Sequence, residues 1–315
     1  MFEVKPFPEF SWSLSRSKSL LTCARRYGYD YYVSHNGWLS FNVSPEAQHA
    51  YRLKKLKHLP MFVGEIVHDA IEKTIGQIYL DRPLPTAETL VNYARHQLNT
   101  AYQTPYEAWH AKPNKHAMYF DRYYNGKLSA EQVATYQQRL PQLFEHFLTS
   151  ETVTQLLAHR DTIRIQQAEQ FRYVYINDVK VFIVMDLLYE DTTTNQWVIV
   201  DWKTGKASGA DRQQLALYAY YLQQTLDIPL DRIVVRNEYL LEGKHITTTI
   251  TQTDIEDVLA IFERSVFDMR QYQADMFTNE PYEIDTFPRT THEKTCETCN
   301  YREMCLPLND ERSGE

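Results

Sequence analysis

Trp197-Val198-Ile199-Val200-Asp201-Trp202-Lys203-Thr204-Gly205 sets an apolar strand against two opposite charges at its end. Alternation at period two sends Asp201 and Lys203 to one face, and Val200 and Trp202 to the other. A carboxylate and an ammonium at the end of a buried strand are costly unless they pair with each other or with a metal. A structural ion pair accounts for these two residues taken alone. Upstream, Val181-Phe182-Ile183-Val184-Met185 runs into Asp186, which a meander would bring beside Asp201. Two converging carboxylates repel in a poorly solvated site unless a cation lies between them. Hard oxygen ligands suit Mg²⁺ or Mn²⁺, and Lys203 could hold a water or a phosphate beside such an ion.

Working outward from this strand, segments 163–176, 179–190 and 196–203 are rich in Val, Ile, Tyr and Phe. Asn177-Asp178 and Asp191-Thr192-Thr193-Thr194-Asn195 separate them as turn formers, which predicts a three-stranded antiparallel meander. A helix is expected over 209–226, strands over 231–241 and 244–251, and a helix over 253–275. Before the meander, helices are expected over 14–33 and 61–80. A helical stretch from about 86 to 160, interrupted near Pro105 and Pro113, reads as an insertion. The order predicts an α/β protein with one central sheet flanked by helices.

On the 61–80 helix, Glu65, His68 and Glu72 share a face opposite the apolar stripe. A lone helical histidine is most often a solvated or satisfied one. On the 209–226 helix, Gln214 and Tyr218 align at i, i+4, where they could orient Lys203 or touch a phosphate, while ordinary packing explains Tyr218 equally well. The four cysteines are Cys23 near one end and Cys296, Cys299 and Cys305 at the other, the last three spaced C-x2-C-x5-C. An iron-sulfur cluster, a structural zinc and unrelated thiols all fit that spacing.

With 315 residues, 43% hydrophobic and 13% aromatic, the chain can bury a substantial core. Cysteine is too scarce for a disulfide scaffold. No charged n-region leads a long apolar run at the start, and no run approaches the roughly 20 residues of a membrane span. These features predict a cytoplasmic protein. The net charge of −8 excludes a simple basic coat for nucleic acid, yet residues 1–60 hold nine Lys/Arg against four acids. Arg25, Arg26 and the 52–57 run could therefore contact phosphates locally. A solvated basic face explains the same charges.

Taken in order, Gly64-x3-His68, Asp186, Asp201-x-Lys203 and Gln214-x3-Tyr218 resemble the nuclease core of the RecB-like branch of the PD-(D/E)XK superfamily. The cysteines resemble those of its iron-staple members, which include CRISPR-associated RecB-like exonucleases and AddB-type helicase-nuclease subunits. Ser13-x-Ser15 through Cys23-Ala24-Arg25-Arg26-Tyr27 is similar to their amino-terminal signature, with Ala24 where Pro is common.

The resemblance implies a restriction-endonuclease-like mixed sheet with a helical insertion, its termini joined by a cluster. Residues 1–60 would form a basic helical segment, 61–280 the nuclease core and 281–315 the cluster-binding segment. It implies His68, Asp186 and Asp201 as ligands of a catalytic Mg²⁺ or Mn²⁺, and Lys203 as the residue that positions the attacking water. Gln214 and Tyr218 would support the site. Cys23, Cys296, Cys299 and Cys305 would bind a [4Fe-4S] cluster.

The implied substrate is DNA, single-stranded or with free ends, in CRISPR adaptation, repair or defence. A helicase or integrase-type partner goes with those settings, since no G-x4-G-K-[ST] motor loop occurs in the chain. A silent DNA-binding subunit, a zinc-stapled nuclease and a di-iron oxidase built on Glu65/His68 and Glu107/His110 are the competing classes.

Overall fold

The computed structural model describes residues 4–168, 172–206 and 208–305. Strand β1 (Ser11–Trp12) leads into α1 (Leu14–Thr22), capped by the Ser13 hydroxyl, which accepts from the Arg16 amide. The helix expected over 14–33 is broken at Cys23, whose extended backbone (φ −166°, ψ 113°) ends α1 and starts α2 (Ala24–Gly28). A π-helical turn, Tyr29–Val33, follows, then α3 (Pro45–Lys54) and β2 (Leu56–Lys57).

Helix α4 (Leu59–Tyr79) matches the expected 61–80 element. The helical stretch consists of α5 (Ala87–Gln103), α6 (Tyr106–Ala111), β3 (Met118–Tyr119), α7 (Phe120–Asn125), α8 (Ala130–Leu148) and α9 (Glu151–Ala158). Its first breaks fall at Pro105, the N-cap of α6, and just before Pro113, because proline forbids helical continuation.

The expected three-stranded meander is instead five strands in two sheets. They are β4 (Ile163–Ala168), β5 (Arg172–Ile176), β6 (Val179–Ile183), β7 (Leu187–Asp191) and β8 (Gln196–Lys203). Strands β5 and β6 form a hairpin that joins β1, whereas β4, β7 and β8 belong to the main sheet. The chain leaves one sheet and enters the other between Ile183 and Leu187, which places Asp186 at the crossing. Helix α10 (Gly209–Leu226) spans the predicted residues; β9 (Ile233–Tyr239) and β10 (Lys244–Thr249) complete the main sheet in the order β10-β9-β8-β7-β4. Only the β8–β9 pair in it is parallel.

Helix α11 (Gln252–Arg270) stops short of the expected residue 275. The chain then pairs β11 (Gln273–Asp275) with β12 (Glu280–Pro281), and α12 (Glu293–Glu297) and α13 (Arg302–Cys305) follow.

Two apolar layers cover the main sheet. Leu188, Ile199 and Val235 pack with α10, α11 and the β5–β6 hairpin, while Leu187, Val198, Val200 and Trp202 pack with α4, α5, α8 and α9. Period-two alternation along β8 therefore gives Trp202 to the helical stretch, where it meets Phe147, and turns Asp201 and Lys203 towards α10. Burial of this much apolar surface is the main stabilising term. The chain ends meet in a third cluster, where Tyr29 stacks on Tyr301 at 5.1 Å and the Tyr301 hydroxyl donates to Asp30 Oδ1 at 2.6 Å. Gly28 permits this approach, since a Cβ there would stand 2.6 Å from Ile284 Cδ1.

Candidate active site

Register fixes the centre of the site. Leu187 pairs with Val200 at the end of the β7–β8 ladder, so Asp186, just before β7, and Asp201, just past the last pair, lie at the same end of it. The Trp202 amide donates to Asp186 Oδ2 at 2.8 Å, which holds that carboxylate at the strand end. From the opposite layer, α4 brings His68 Nδ1 to 3.2 Å from Asp186 Oδ1. Helix α4 runs beside the end of β8 at Gly64, where a Cβ would stand in ordinary contact, 3.4 Å from Thr204 Oγ1.

Lys203 Nζ lies 2.7 Å from Asp201 Oδ2 and donates to Gln214 Oε1 at 2.9 Å. Gln214 Nε2 donates to the Tyr218 hydroxyl oxygen at 2.6 Å, and that hydroxyl donates to the Val184 carbonyl. The chain of contacts thus runs from Asp201 through Lys203, Gln214 and Tyr218 back to the backbone just before Asp186. All six expected residues are brought together, four of them on the α10 face.

Asp201 is only 4% exposed. Burial, and then the Asp186 carboxylate, push its acid up to about 7, while Lys203 and His68 act in the opposite direction. Its Oδ2 is buried without an aligned hydrogen-bond donor, because the nearby ammonium meets it as an ion pair and is directed at Gln214. Burial chiefly, with Asp201 second, raises the Tyr218 phenol far above its ordinary value, so it stays a hydrogen-bond donor.

Among the described residues, no group of three or more His, Cys, Asp or Glu side chains stands arranged to hold a metal ion. His68 is engaged with Asp186, and Asp201 with Lys203. The donor chemistry nevertheless fits a divalent cation, since the Asp186 carboxylate raises the Asp201 acid, a repulsion that a cation between them would relieve beyond the Lys203 pairing. The di-iron arrangement finds no support. Glu65 pairs with Lys57 at 2.6 Å, and His110 packs against Tyr106 on α6.

Two neighbours are missing from the sequence reading. Asp211 Oδ1 lies 3.9 Å from Lys203 Nζ and its carboxylate also receives the Tyr239 hydroxyl, and Asn237 pairs with Asp201 in register with its Oδ1 buried and unpartnered. A polar residue within the buried run Ile233-Val234-Val235-Arg236-Asn237-Glu238-Tyr239 was the available signal for Asn237. Asp211 carried none, because its capping-box role with Ser208 explains it locally.

Cys23, Cys296, Cys299 and Cys305 line one cavity together with Arg25, Arg26, Arg289 and Arg302. The thiols are free, the Cys23 sulfur receives the Thr290 amide at 3.4 Å, and burial pushes the Cys299 thiol up to about 11. Several of the expected phosphate contacts are engaged within the chain, Arg26 with Asp30, Lys54 with the Asp30 carbonyl and Lys57 with Glu65. Arg25 donates to Asp285 Oδ1 at 2.9 Å and to the carbonyls of Phe287 and Asp285, and Arg52 donates to the His110 carbonyl at 3.0 Å.

The PD-(D/E)XK nuclease superfamily model matches residues 11–306, and the chain belongs to that superfamily. Its mixed sheet between helical layers is consistent with the restriction-endonuclease-like fold. No curated protein sequence matches it. Among the described residues, no helix is long and apolar enough to cross a membrane.

Proposed function

We propose that this protein is a Mg²⁺- or Mn²⁺-dependent deoxyribonuclease of the RecB-like branch that degrades DNA from free single-stranded ends in the cytoplasm. The observation that carries the reading is the contact chain Asp201–Lys203–Gln214–Tyr218 closing on the residue pair before Asp186. His68, Asp186 and Asp201 would hold the cation, which supplies positive charge to the scissile phosphate and acidifies the attacking water.

The remaining work falls to the chain itself. Gln214 aims the Lys203 ammonium, so that Nζ is fixed where a water or a phosphate oxygen can receive its protons. Tyr218, kept neutral, anchors Gln214 and the Val184 carbonyl, and so couples the lysine to the position of Asp186.

Cys23, Cys296, Cys299 and Cys305 would hold a [4Fe-4S] cluster that staples residues 281–315 to the amino-terminal segment. Four thiols around one cavity with four arginines in its wall support that reading, because the guanidinium groups oppose thiolate charge. A lone tetrahedral zinc needs its sulfurs about 3.8 Å apart, given Zn–S bonds of about 2.3 Å. A [4Fe-4S] cluster instead carries each thiolate on a separate iron, so iron and zinc analysis of the purified protein distinguishes the two. A helicase or integrase-type partner would supply the single-stranded ends in repair or CRISPR adaptation.

The test is the digestion of linear and circular single-stranded DNA by the same anaerobically purified preparation. Loss of the linear strand with survival of the circle is expected; equal cutting of both would remove the requirement for an end. Binding without cleavage of either would make the chain a silent DNA-binding subunit.

A further inference from the structure

We propose that the outward face of the β5–β6 hairpin is a track for single-stranded DNA that delivers the strand to Asp186. The proposal rests on the nuclease reading and specifies its substrate path. In the hairpin, Tyr173 stands opposite Phe182 and Tyr175 opposite Lys180. These four side chains share the face turned away from the core, whereas Val181 and Ile183 point inward. Tyr173 and Tyr175 are 52% and 57% exposed, with ring centroids 5.6 Å apart. Lys180 Nζ lies 4.6 Å from the Tyr173 ring centre and 5.5 Å from that of Phe182.

The same face leads to the site. Lys180 and Phe182 alternate outward on β6, and the chain leaves that strand through Val184, two residues before Asp186. Phe182, Val184, Gln214 and Tyr218 line a groove together with Arg16, Lys18 and Tyr31. Arg16 lies over the Tyr31 ring at 4.3 Å, and Lys18 is exposed. Glu9 is the acid on this path, paired with Lys180 at 2.9 Å, and a phosphate would compete with it for the ammonium.

Aromatic faces interleaved with cations bind unpaired bases by stacking and the backbone by charge. A duplex cannot offer base faces to Tyr173 and Tyr175, so the surface selects single strands. Continuity with the carboxylates identifies the occupant as the substrate strand rather than a protein segment added to the β5 edge.

The test is fluorescence anisotropy of the full chain with a labelled oligonucleotide of roughly 15 nucleotides in EDTA, single-stranded and as duplex, with melting curves for every variant. Tyr173→Ala with Tyr175→Ala is expected to weaken single-strand binding by roughly tenfold or more while leaving duplex binding unchanged. Tyr173→Phe with Tyr175→Phe should retain it, because the rings remain. An unchanged single-strand affinity in a folded alanine pair, or an equal loss with duplex, overturns the track. Should the alanine pair melt early, Lys18→Glu carries the test. A severalfold loss with a shallower salt dependence supports the track, and no change overturns it.

Failure of the nuclease reading looks different. Wild-type protein that holds single strands through the tyrosines but cleaves nothing with Mn²⁺ keeps the track and removes the nuclease. Cleavage with an unchanged KM in the alanine pair does the reverse.

Discussion

The Trp202 amide donates its hydrogen bond to Asp186 Oδ2, so the carboxylate at the end of one strand is held by the strand that carries Asp201 and Lys203. Charge and shape at Asp186 can therefore be separated. Asp186→Asn keeps an oxygen for the Trp202 amide and should change stability by less than about 0.5 kcal/mol, whereas Asp186→Ala strands that amide and should cost about 1–3 kcal/mol. Both should lose at least about 100-fold in cleavage rate, since either removes a carboxylate proposed to hold the cation. Denaturant unfolding and single-turnover cleavage of the two variants check this.

Asp201 gives metal-free protein a pH signature. Its folded acid constant of about 7 lies above the ordinary carboxylate value near 4, so the unfolded chain loses that proton first. Between about pH 4 and 7 the folded state binds more protons, and stability falls as pH rises through that window, by an amount on the order of a few kcal/mol. In chelator, Asp201→Asn should remove this component of the slope and be the more stable protein at about pH 8. Parallel slopes for wild type and variant would show that Asp201 is already ionised.

Arg25 is a tether. Its side chain is 13% exposed and ties α2 to the 285–287 segment through Asp285 and two carbonyls. Arg25→Ala should cost about 1–2 kcal/mol of stability, as the Phe287 and Asp285 carbonyls lose their donor. The slope of log K for DNA against log salt should be unchanged, which titrations at several salt concentrations would measure.

Cys23 joins distant parts of the chain to one cavity, so loss of the proposed cluster should loosen both ends together. Cys23→Ala is expected to lose visible charge-transfer absorption and iron stoichiometry, and to melt several degrees lower. A colourless wild type with one zinc per chain would replace the cluster by a single ion. An unchanged spectrum and melting curve in the variant would make Cys23 a bystander.

How much of this was legible in the sequence follows from where local preference agreed with tertiary demand. Strand β8 and helix α10 stand where periodicity puts them, because burial on both sheet faces enforces the same alternation. The break between β6 and β7 has no Gly, Pro or Asn to announce it. It is held instead by Tyr218 on the Val184 carbonyl and by Trp202 on Asp186, contacts that exist only after folding. Cys23 likewise interrupts a run that reads as helix, and its extended backbone presents the sulfur to a cavity whose other three cysteines lie near the far end of the chain. Arg25 reads as a phosphate contact until Asp285 is known to be beside it. The candidate site was legible as residue types and spacings, while Asn237 and Asp211 depended on register and on the reach of Lys203.

The most direct measurement is cleavage of end-labelled single-stranded DNA by anaerobically purified protein with Mn²⁺, with Mg²⁺ and with EDTA, beside Lys203→Met. Lys203 stands 2.7 Å from Asp201 and 2.9 Å from Gln214, so its loss removes the group that would order the attacking water. Metal-dependent shortening that falls at least about 100-fold in the variant is the predicted result. Undiminished cleavage by Lys203→Met, or no cleavage by wild type with either metal, would contradict the assignment of this site as the nuclease centre.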